Sequence, residues 1–261
     1  MKTGQQNTIA KTTSLLYETG IATGFAFRFF RQWFRRPFEF KEFLTQCYNV
    51  GYTSLPLIGL TGFIMGLVLT MQLRPTMLEY GVASQIPAIV GIAIIREIGP
   101  VISALIFAGK IGSSIGAELG SMKVTEQIDA MDVSGTNPFK FLVVSRVLAC
   151  TLMLPVLSVI SDAISLFGAF LGINIRGNTS FQLFWTEVVS SLSFNDILPA
   201  FIKTFIFGFA VGIVGCYKGY TCNKGTAGVG RSANSSVVVA SVLIFIIDLL
   251  VVQVTDILGY N

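Results

Sequence analysis

The sequence predicts an all-α polytopic membrane protein. Its 261 residues are 52% hydrophobic and only 12% charged, whereas ordinary globular domains carry about 25% charged residues. A helix needs roughly 20 apolar residues to cross about 30 Å of hydrocarbon. Five such runs lie at about 53–73, 86–108, 147–173, 197–217 and 237–258. We therefore expect residues 51–261 to form a single transmembrane domain with five spans.

The distribution of lysine and arginine predicts the orientation of these spans. The segment before the first span and the loops after the second and fourth spans hold fourteen of these residues, whereas the opposite loops hold two. Because lysine and arginine are retained on the cytoplasmic side, the N-terminus is expected in the cytoplasm and the C-terminus in the periplasm. The first thirty residues resemble neither a cleavable signal nor a transit peptide, which favours a bacterial inner membrane.

Residues 1–50 are expected to form a cytoplasmic and interfacial region. The stretch "FAFRFFRQWFRRPFEFKEFL" (25–44) alternates aromatic and basic residues and is too charged to cross the membrane. Its rings would enter the acyl boundary while its guanidinium groups bind lipid phosphates. The sequence therefore predicts an amphipathic interfacial helix here, and the alternative is a positively charged segment that only retains the N-terminus inside.

Two adjacent charges, Arg96 and Glu97, interrupt the second apolar run about ten residues from its start. At 1.5 Å per residue they lie about 15 Å deep, near the bilayer midplane. Exposed to lipid, the two would cost on the order of 5–7 kcal/mol, so they are expected to face the bundle interior, a polar cavity or a headgroup. Asp248, at a similar depth in the fifth run, or a ligand headgroup could pair with Arg96. A purely structural ion network is the alternative.

Proline and glycine predict the shape and packing of the spans. Pro100 has no N–H, so the helix is expected to bend at Gly99 and Pro100. Glycines spaced four apart let helices approach closely in lipid, and Gly62 and Gly66 form such a pair in the first span. Further pairs in the third and fourth spans predict tight packing, including a dimer contact.

The longest inner loop, residues 109–141, predicts a short amphipathic helix that lies parallel to the membrane over about 113–131. Four acidic residues in this segment suit docking into a basic groove of a partner, and the alternative is a surface brace. No G-x-x-x-x-G-K-[ST] motif occurs in the chain, so any ATP hydrolysis requires another subunit. The sequence contains no histidine, which excludes zinc–histidine sites and imidazole-based triads.

Residues 96–149, "REIGPVISALIFAGKIGSSIGAELGSMKVTEQIDAMDVSGTNPFKFLVVSRVLA", closely resemble the signature of the MlaE/YrbE permease family. Residues 40–51 and 225–238 are similar to the segments before the family's first span and in its last inner loop. The resemblance implies the homodimeric permease of an ATP-driven phospholipid transporter. Its partners would be a cytoplasmic ABC ATPase dimer, a ring of MCE-domain proteins and, in some members, a STAS-domain subunit.

The resemblance also implies roles for particular residues. Phospholipid would occupy a cavity between two permeases, lined by spans one, two and five, with Arg96 and Glu97 at its border and Asp248 as a further candidate. Residues 113–131 would form the coupling helix on the ATPase, with the candidate contact residues Glu118, Met122, Thr125, Glu126 and Gln127. The chain itself would need no cofactor, because ATP and Mg²⁺ bind to the ATPase, and no nucleic acid is involved. Roles for Arg231, Lys203 and Asp162 are not assigned.

Two other classes of function compete with a non-enzymatic ABC permease. In an ion-coupled secondary transporter, Glu97, Asp162, Lys203 and Asp248 would relay protons, but such proteins usually show repeated halves. A membrane scaffold is the second alternative, and for it charges at mid-membrane depth would be a needless cost. Copurification of an ATPase, uptake driven by a pH gradient and retained lipid would distinguish the three.

Overall fold

The computed structural model describes residues 20–34, 39–175, 177–223 and 225–257, and no β-strand occurs in that part of the chain. After a first helix over residues 20–33, named α1, the helical segments are α2 (Phe40–Glu79), α3 (Ala83–Val124), α4 (Gln127–Val133), α5 (Phe139–Asn174), α6 (Phe181–Ser191), α7 (Phe194–Tyr220) and α8 (Thr226–Ile257). Five of them, α2, α3, α5, α7 and α8, are long and apolar enough to cross a membrane. The predicted all-α polytopic architecture is confirmed.

The spanning helices are longer than the apolar runs in the sequence. Helix α2 has 40 residues, which corresponds to about 60 Å at 1.5 Å per residue. Hydrocarbon accounts for only about half of that length. The helix continues through Pro56 and Pro75 and therefore projects beyond the bilayer core.

Helices α2 and α5 pack through small residues. A Cβ added to Gly62 would lie 2.6 Å from Ser161 Oγ, and one added to Gly66 would overlap the carbonyl oxygen of Ser165. On the other side of the same contact, a Cβ added to Gly168 would overlap the carbonyl oxygen of Phe63. These glycines allow backbone to touch backbone within one subunit, so Gly62 and Gly66 are occupied by an intrachain contact.

Helix α3 passes Pro100 without a break. A π-helical turn over Ile94–Ile98 precedes the proline, and the N–H of Gly99 donates to the carbonyl of Ile94, five residues earlier. A π turn contains one extra residue. The helix can therefore continue although Pro100 has no N–H to donate. A second π turn, Ala108–Gly112, follows. The predicted site of bending is therefore a widened turn in a continuous helix.

The inner loop differs from the predicted single helix over 113–131. Residues Ser113–Val124 are the inner end of α3, and the chain then turns at Glu126, whose φ is +59°, before α4 begins. The reason is packing: Leu119 is fully buried, and a Cβ added to Gly116 would lie 2.5 Å from Ser236 Oγ of α8. Within residues 113–133 only α4 is separate from the spanning helices, and its function as a coupling helix stays a prediction.

Helix α1 packs against the protein through one face. Phe25 and Phe29 are buried and make edge contacts with rings of α5 and α7, including Phe139 at 4.9 Å and Phe209 at 5.6 Å between centroids. The guanidinium of Arg28 lies 4.4 Å from the centroid of the Phe139 ring. Part of the predicted interfacial helix, residues 35–38, lies outside the described residues. The segment thus joins the helix bundle through α1, at the N-terminal end of α5.

Candidate functional site

Lys203 is the buried centre of a cluster of charges where three spanning helices meet. It lies on α7, its side chain is only 2% exposed, and its Nζ donates to Glu97 Oε2 of α3 at 2.7 Å and to Asp248 Oδ1 of α8 at 3.0 Å. One ammonium group therefore joins three spanning helices. In a medium of low dielectric constant, such an ion pair is retained only with good geometry and additional hydrogen bonds. We refer to Arg96, Glu97, Asp196, Lys203 and Asp248 as the charge cluster.

Arg96 has a different partner from its neighbour Glu97. Its Nη1 lies 3.5 Å from Asp196 Oδ1. Asp196 also caps the start of α7, because its Oδ2 accepts from the backbone N–H and the hydroxyl of Ser193 at 3.0 and 2.8 Å. A capping box of this kind satisfies N–H groups that have no partner inside the helix. The carboxylate thus connects the N-terminal end of α7 to the middle of α3.

The expected pairing of Asp248 with Arg96 is not what the structure shows. Asp248 pairs with Lys203, and Arg96 pairs with Asp196. Arg96 and Glu97 have different partners because the side chains of adjacent helical residues point about 100° apart around the helix axis. Gly99 and Pro100 follow within the next turn. Because Gly99 has no side chain, the carboxyl group of Asp162 on α5 can pack directly against it.

The charge cluster lies at the surface of the subunit and not around an internal chamber. The side chains of Arg96 and Glu97 are 34% and 39% exposed. The cavity beside the cluster has a volume of about 10 Å³, which suffices for one water molecule at most. The exposed side of the pair can therefore meet a headgroup or a second subunit, but a single chain encloses no lipid there.

The five residues of this chain that are candidates for contact with an ATPase fall into two groups. Glu118 accepts from Arg146 Nη2 at 2.7 Å, and Met122 packs at the edge of the core; both belong to the inner end of α3. Thr125, Glu126 and Gln127 are exposed at the turn before α4. Met122 is thus the one of the five that is partly buried, and Glu118 is held in an ion pair although it is half exposed.

Sequence reasoning did not assign Lys203 and Asp196 to the site. A lysine within an apolar run is a signal in itself, because its insertion is costly, but its partners depend on the rotation of three helices. Asp196 lies just before the fourth apolar run, a position that is typical of a loop residue. Arg231 of α8 and Lys218 of α7 line a cavity of about 400 Å³ that contains no residue of the cluster.

Comparison with known proteins places the chain in a family. A family model described as Permease MlaE matches residues 43–254. A protein of Rickettsia typhi named "Probable ABC transporter permease protein" is 34% identical over 242 residues, which cover 93% of each chain. A protein of that description from Pyropia yezoensis is 42% identical over 207 residues, 78% of this chain and 77% of its own. One from Synechocystis is 34% identical over 203 residues, with the same coverage.

The match is broad as well as specific. It includes all five spanning helices, the charge cluster and the inner turn before α4. The relatives that share this length carry the description of a transporter permease. The chain therefore belongs to the MlaE permease family and is a multi-pass membrane permease of the ABC transporter type.

Proposed function

We propose that the chain is the permease subunit of an ATP-driven transporter that moves phospholipid between the inner membrane of a bacterium and an MCE-protein conduit. It would work as a homodimer on a cytoplasmic ABC ATPase dimer, which binds ATP and Mg²⁺, with a STAS-domain subunit as a further partner. The N-terminus would lie in the cytoplasm and the C-terminus in the periplasm. Family membership and the names of the relatives support the permease role.

The charge cluster is the observation that carries the lipid part of the proposal. Arg96 and Glu97 present one cation and one anion, each more than a third exposed, at the surface of an apolar span. Left against acyl chains they would cost several kcal/mol. A zwitterionic headgroup offers a phosphate for Arg96 and an ammonium for Glu97. A second subunit facing the same surface would shield the headgroup from the acyl chains.

The inner half of the subunit supplies a route for coupling. Helix α3 carries Glu97 at mid-depth and ends at Val124, next to the exposed turn. The pair of Glu118 with Arg146 joins the inner ends of α3 and α5. A partner that moves the turn and α4 would therefore shift a helix that reaches the cluster without an intervening loop.

The test uses the full chain with an affinity tag, expressed in its host and reconstituted with the proteins that copurify. We expect an ATPase in equal stoichiometry and transfer of labelled phosphatidylethanolamine between vesicles that requires ATP. Arg96→Ala and Glu97→Ala should impair transfer while the complex still assembles. As a control, Lys41→Met at the exposed inner end of α2 should transfer lipid normally.

Two results would contradict the proposal. Uptake that depends on a pH gradient, by the chain without an ATPase, would favour the ion-coupled transporter. Normal lipid transfer by both the Arg96 and Glu97 variants would leave the charge cluster with a structural role only.

A further inference from the structure

A polar cavity of about 400 Å³ lies where α7 ends and α8 begins. Its lining residues all fall between positions 217 and 235, which is the segment between the fourth and the fifth apolar runs of the sequence. The cavity therefore lies outside the hydrocarbon, on the side where the excess of basic residues predicts the cytoplasm. Water and soluble ions can enter it there.

Two cations line this cavity, and no carboxylate of the described residues does. Lys218 comes from α7 and Arg231 from α8. Arg231 is exposed, and no acidic side chain in the described part of the chain forms an ion pair with it. The Nζ of Lys218 lies 5.5 Å from the centroid of the Tyr217 ring, a contact that leaves its positive charge in place. Two like charges around one cavity repel each other, and an anion between them would reverse that repulsion.

The rest of the wall supplies hydrogen-bond donors. Ser235 and Asn223 contribute a hydroxyl group and an amide group. Ser235 follows Arg231 by four residues on α8, so the two side chains are on the same face of that helix. Ala227 and Gly228, in the first turn of α8, also line the cavity, and the N-terminal end of a helix favours negative charge. Side chains and helix end thus favour the same sign of ligand.

The composition of the wall favours a soluble anion over a lipid. Tyr217 is the one large ring among the lining residues, and it is buried, so an acyl chain would find little apolar surface there. A guanidinium group presents its N–H donors in a planar fork that matches two oxygens of a phosphate, and a lysine adds a point charge. A phosphate has further oxygens for donors from a second helix, whereas a carboxylate has only two oxygens in all.

We infer that this cavity binds a soluble anion that carries a phosphate group. The guanidinium of Arg231 would donate to two of the phosphate oxygens, and the ammonium of Lys218 and the hydroxyl of Ser235 would donate to the others. The anion would join the adjacent ends of α7 and α8, the helices that carry Lys203 and Asp248 of the charge cluster. The inference requires neither lipid transport nor a partner subunit, so it can be tested on the purified chain whatever the outcome of the transport assay.

The experiment measures equilibrium binding by isothermal titration calorimetry. The full chain is purified in an uncharged detergent without phosphate buffer and is titrated separately with inorganic phosphate, pyrophosphate and succinate. Sodium chloride keeps the ionic strength constant. We expect saturable binding of one phosphate or one pyrophosphate per chain. Succinate should bind at least about tenfold more weakly than pyrophosphate, the ratio that one hydrogen bond to a charged group provides.

Four variants test whether the cavity is the site. Arg231→Gln and Lys218→Met should each weaken the binding of pyrophosphate about tenfold. Ser235→Leu, which fills part of the cavity without a change of charge, should also weaken it. Lys41→Met, at an exposed lysine outside the cavity, removes the same charge as Lys218→Met and should bind pyrophosphate like the wild-type chain. Thermal unfolding without ligand verifies that each variant is folded.

Several results would overturn the inference. Absence of saturable binding at constant ionic strength is one, and equal affinity for succinate and pyrophosphate is another. An equal loss of binding in Lys41→Met and Arg231→Gln would mean that the attraction comes from the net charge of the chain. Binding of pyrophosphate that occurs in phosphatidylcholine nanodiscs but not in phosphatidylglycerol nanodiscs would assign the cavity to a lipid headgroup instead of a soluble anion.

Discussion

At the scale of single residues, the charge cluster depends on one cation. Lys203 is almost fully buried and serves two carboxylates, whereas Glu97 and Asp248 are each partly exposed. Removal of each of the three groups therefore leaves a different set of charges without a partner. Loss of one carboxylate leaves Lys203 with the other, but loss of Lys203 leaves two carboxylates facing each other in a medium of low dielectric constant.

Lys203→Met should consequently be the most damaging substitution in the cluster. Breaking a buried ion pair by removing one partner costs roughly 3–5 kcal/mol, and we expect a loss of this order in thermal or denaturant unfolding of the purified chain. Asp248→Asn should cost less than half as much. Lys41→Met, at an exposed lysine of α2, serves as the matched control. A Lys203→Met variant as stable as this control would mean that the cluster carries little stability.

The pair of Glu118 with Arg146 gives a second residue-level prediction. Arg146 is only 3% exposed and Glu118 is half exposed, so Glu118→Gln leaves a buried guanidinium without its anion. We expect a loss of about 1.5–3 kcal/mol, the range for a hydrogen bond to a charged group. The exposed pair of Asp129 with Lys123 is the comparison, because Asp129→Asn should change stability by less than about 1 kcal/mol. Equal effects in denaturant unfolding would contradict this reading.

At the scale of helices, the contact of α2 with α5 depends on the absence of side chains. Gly66→Ala would push a methyl group into the backbone of Ser165, and the two helices would have to separate. Overpacking of this kind costs typically 1–3 kcal/mol, measurable as a lower midpoint of unfolding. Gly230→Ala in α8 is the control, because a Cβ there meets nothing within 4 Å and alanine is the better helix former. A tolerated Gly66→Ala would show that the contact can relax.

The helices also show what the sequence could and could not predict. Apolar length predicted the number of spans, because a bilayer requires it. Helix ends were not predictable, since a helix such as α2 continues into water where polar residues are tolerated. The single surface helix predicted over 113–131 was wrong, because its apolar spacing fits such a helix while Gly116 and Gly120 allow residues 113–124 to pack within the bundle.

The same limit applies to the candidate site. Arg96, Glu97 and Asp248 were found from depth alone, because charges near the midplane are costly. Their partners could not be predicted, because an apolar run does not show how a helix is rotated toward its neighbours. The buried Ser158 hydroxyl and Asp162 Oδ1, which have no hydrogen-bond partner among the described residues, are likewise visible only once the helices are assembled.

At the scale of the whole molecule, the outer surface of the bundle is unevenly covered. Only 11% of the most apolar window of α8 is buried, compared with 61% for α5. The exposed side chains of α8 include Val242, Phe245 and Leu249, and the same helix carries Asp248 of the charge cluster. Helix α8 is thus the spanning helix with the most surface available to lipid or to a second subunit.

The orientation of the molecule can be tested with two cysteines placed on opposite sides. Val133 at the end of α4 is 90% exposed and Tyr80 after α2 is 76% exposed. The two positions are separated by the length of α3, so they lie on opposite sides of the membrane. With the N-terminus in the cytoplasm, as the excess of basic residues predicts, Val133→Cys should face the cytoplasm and Tyr80→Cys the periplasm.

Each substitution is made in a chain whose four native cysteines are replaced, and intact spheroplasts are treated with a maleimide that does not cross membranes. We expect Tyr80→Cys to be labelled at once and Val133→Cys only after the membrane is opened. Leu119→Cys, fully buried in α3, should stay unlabelled in both states and controls for unfolding. In opened membranes, added ATPase should slow the labelling of Val133→Cys if α4 meets that partner. The reverse pattern of labelling would invert the molecule and place α4 where no ATP-driven subunit could reach it.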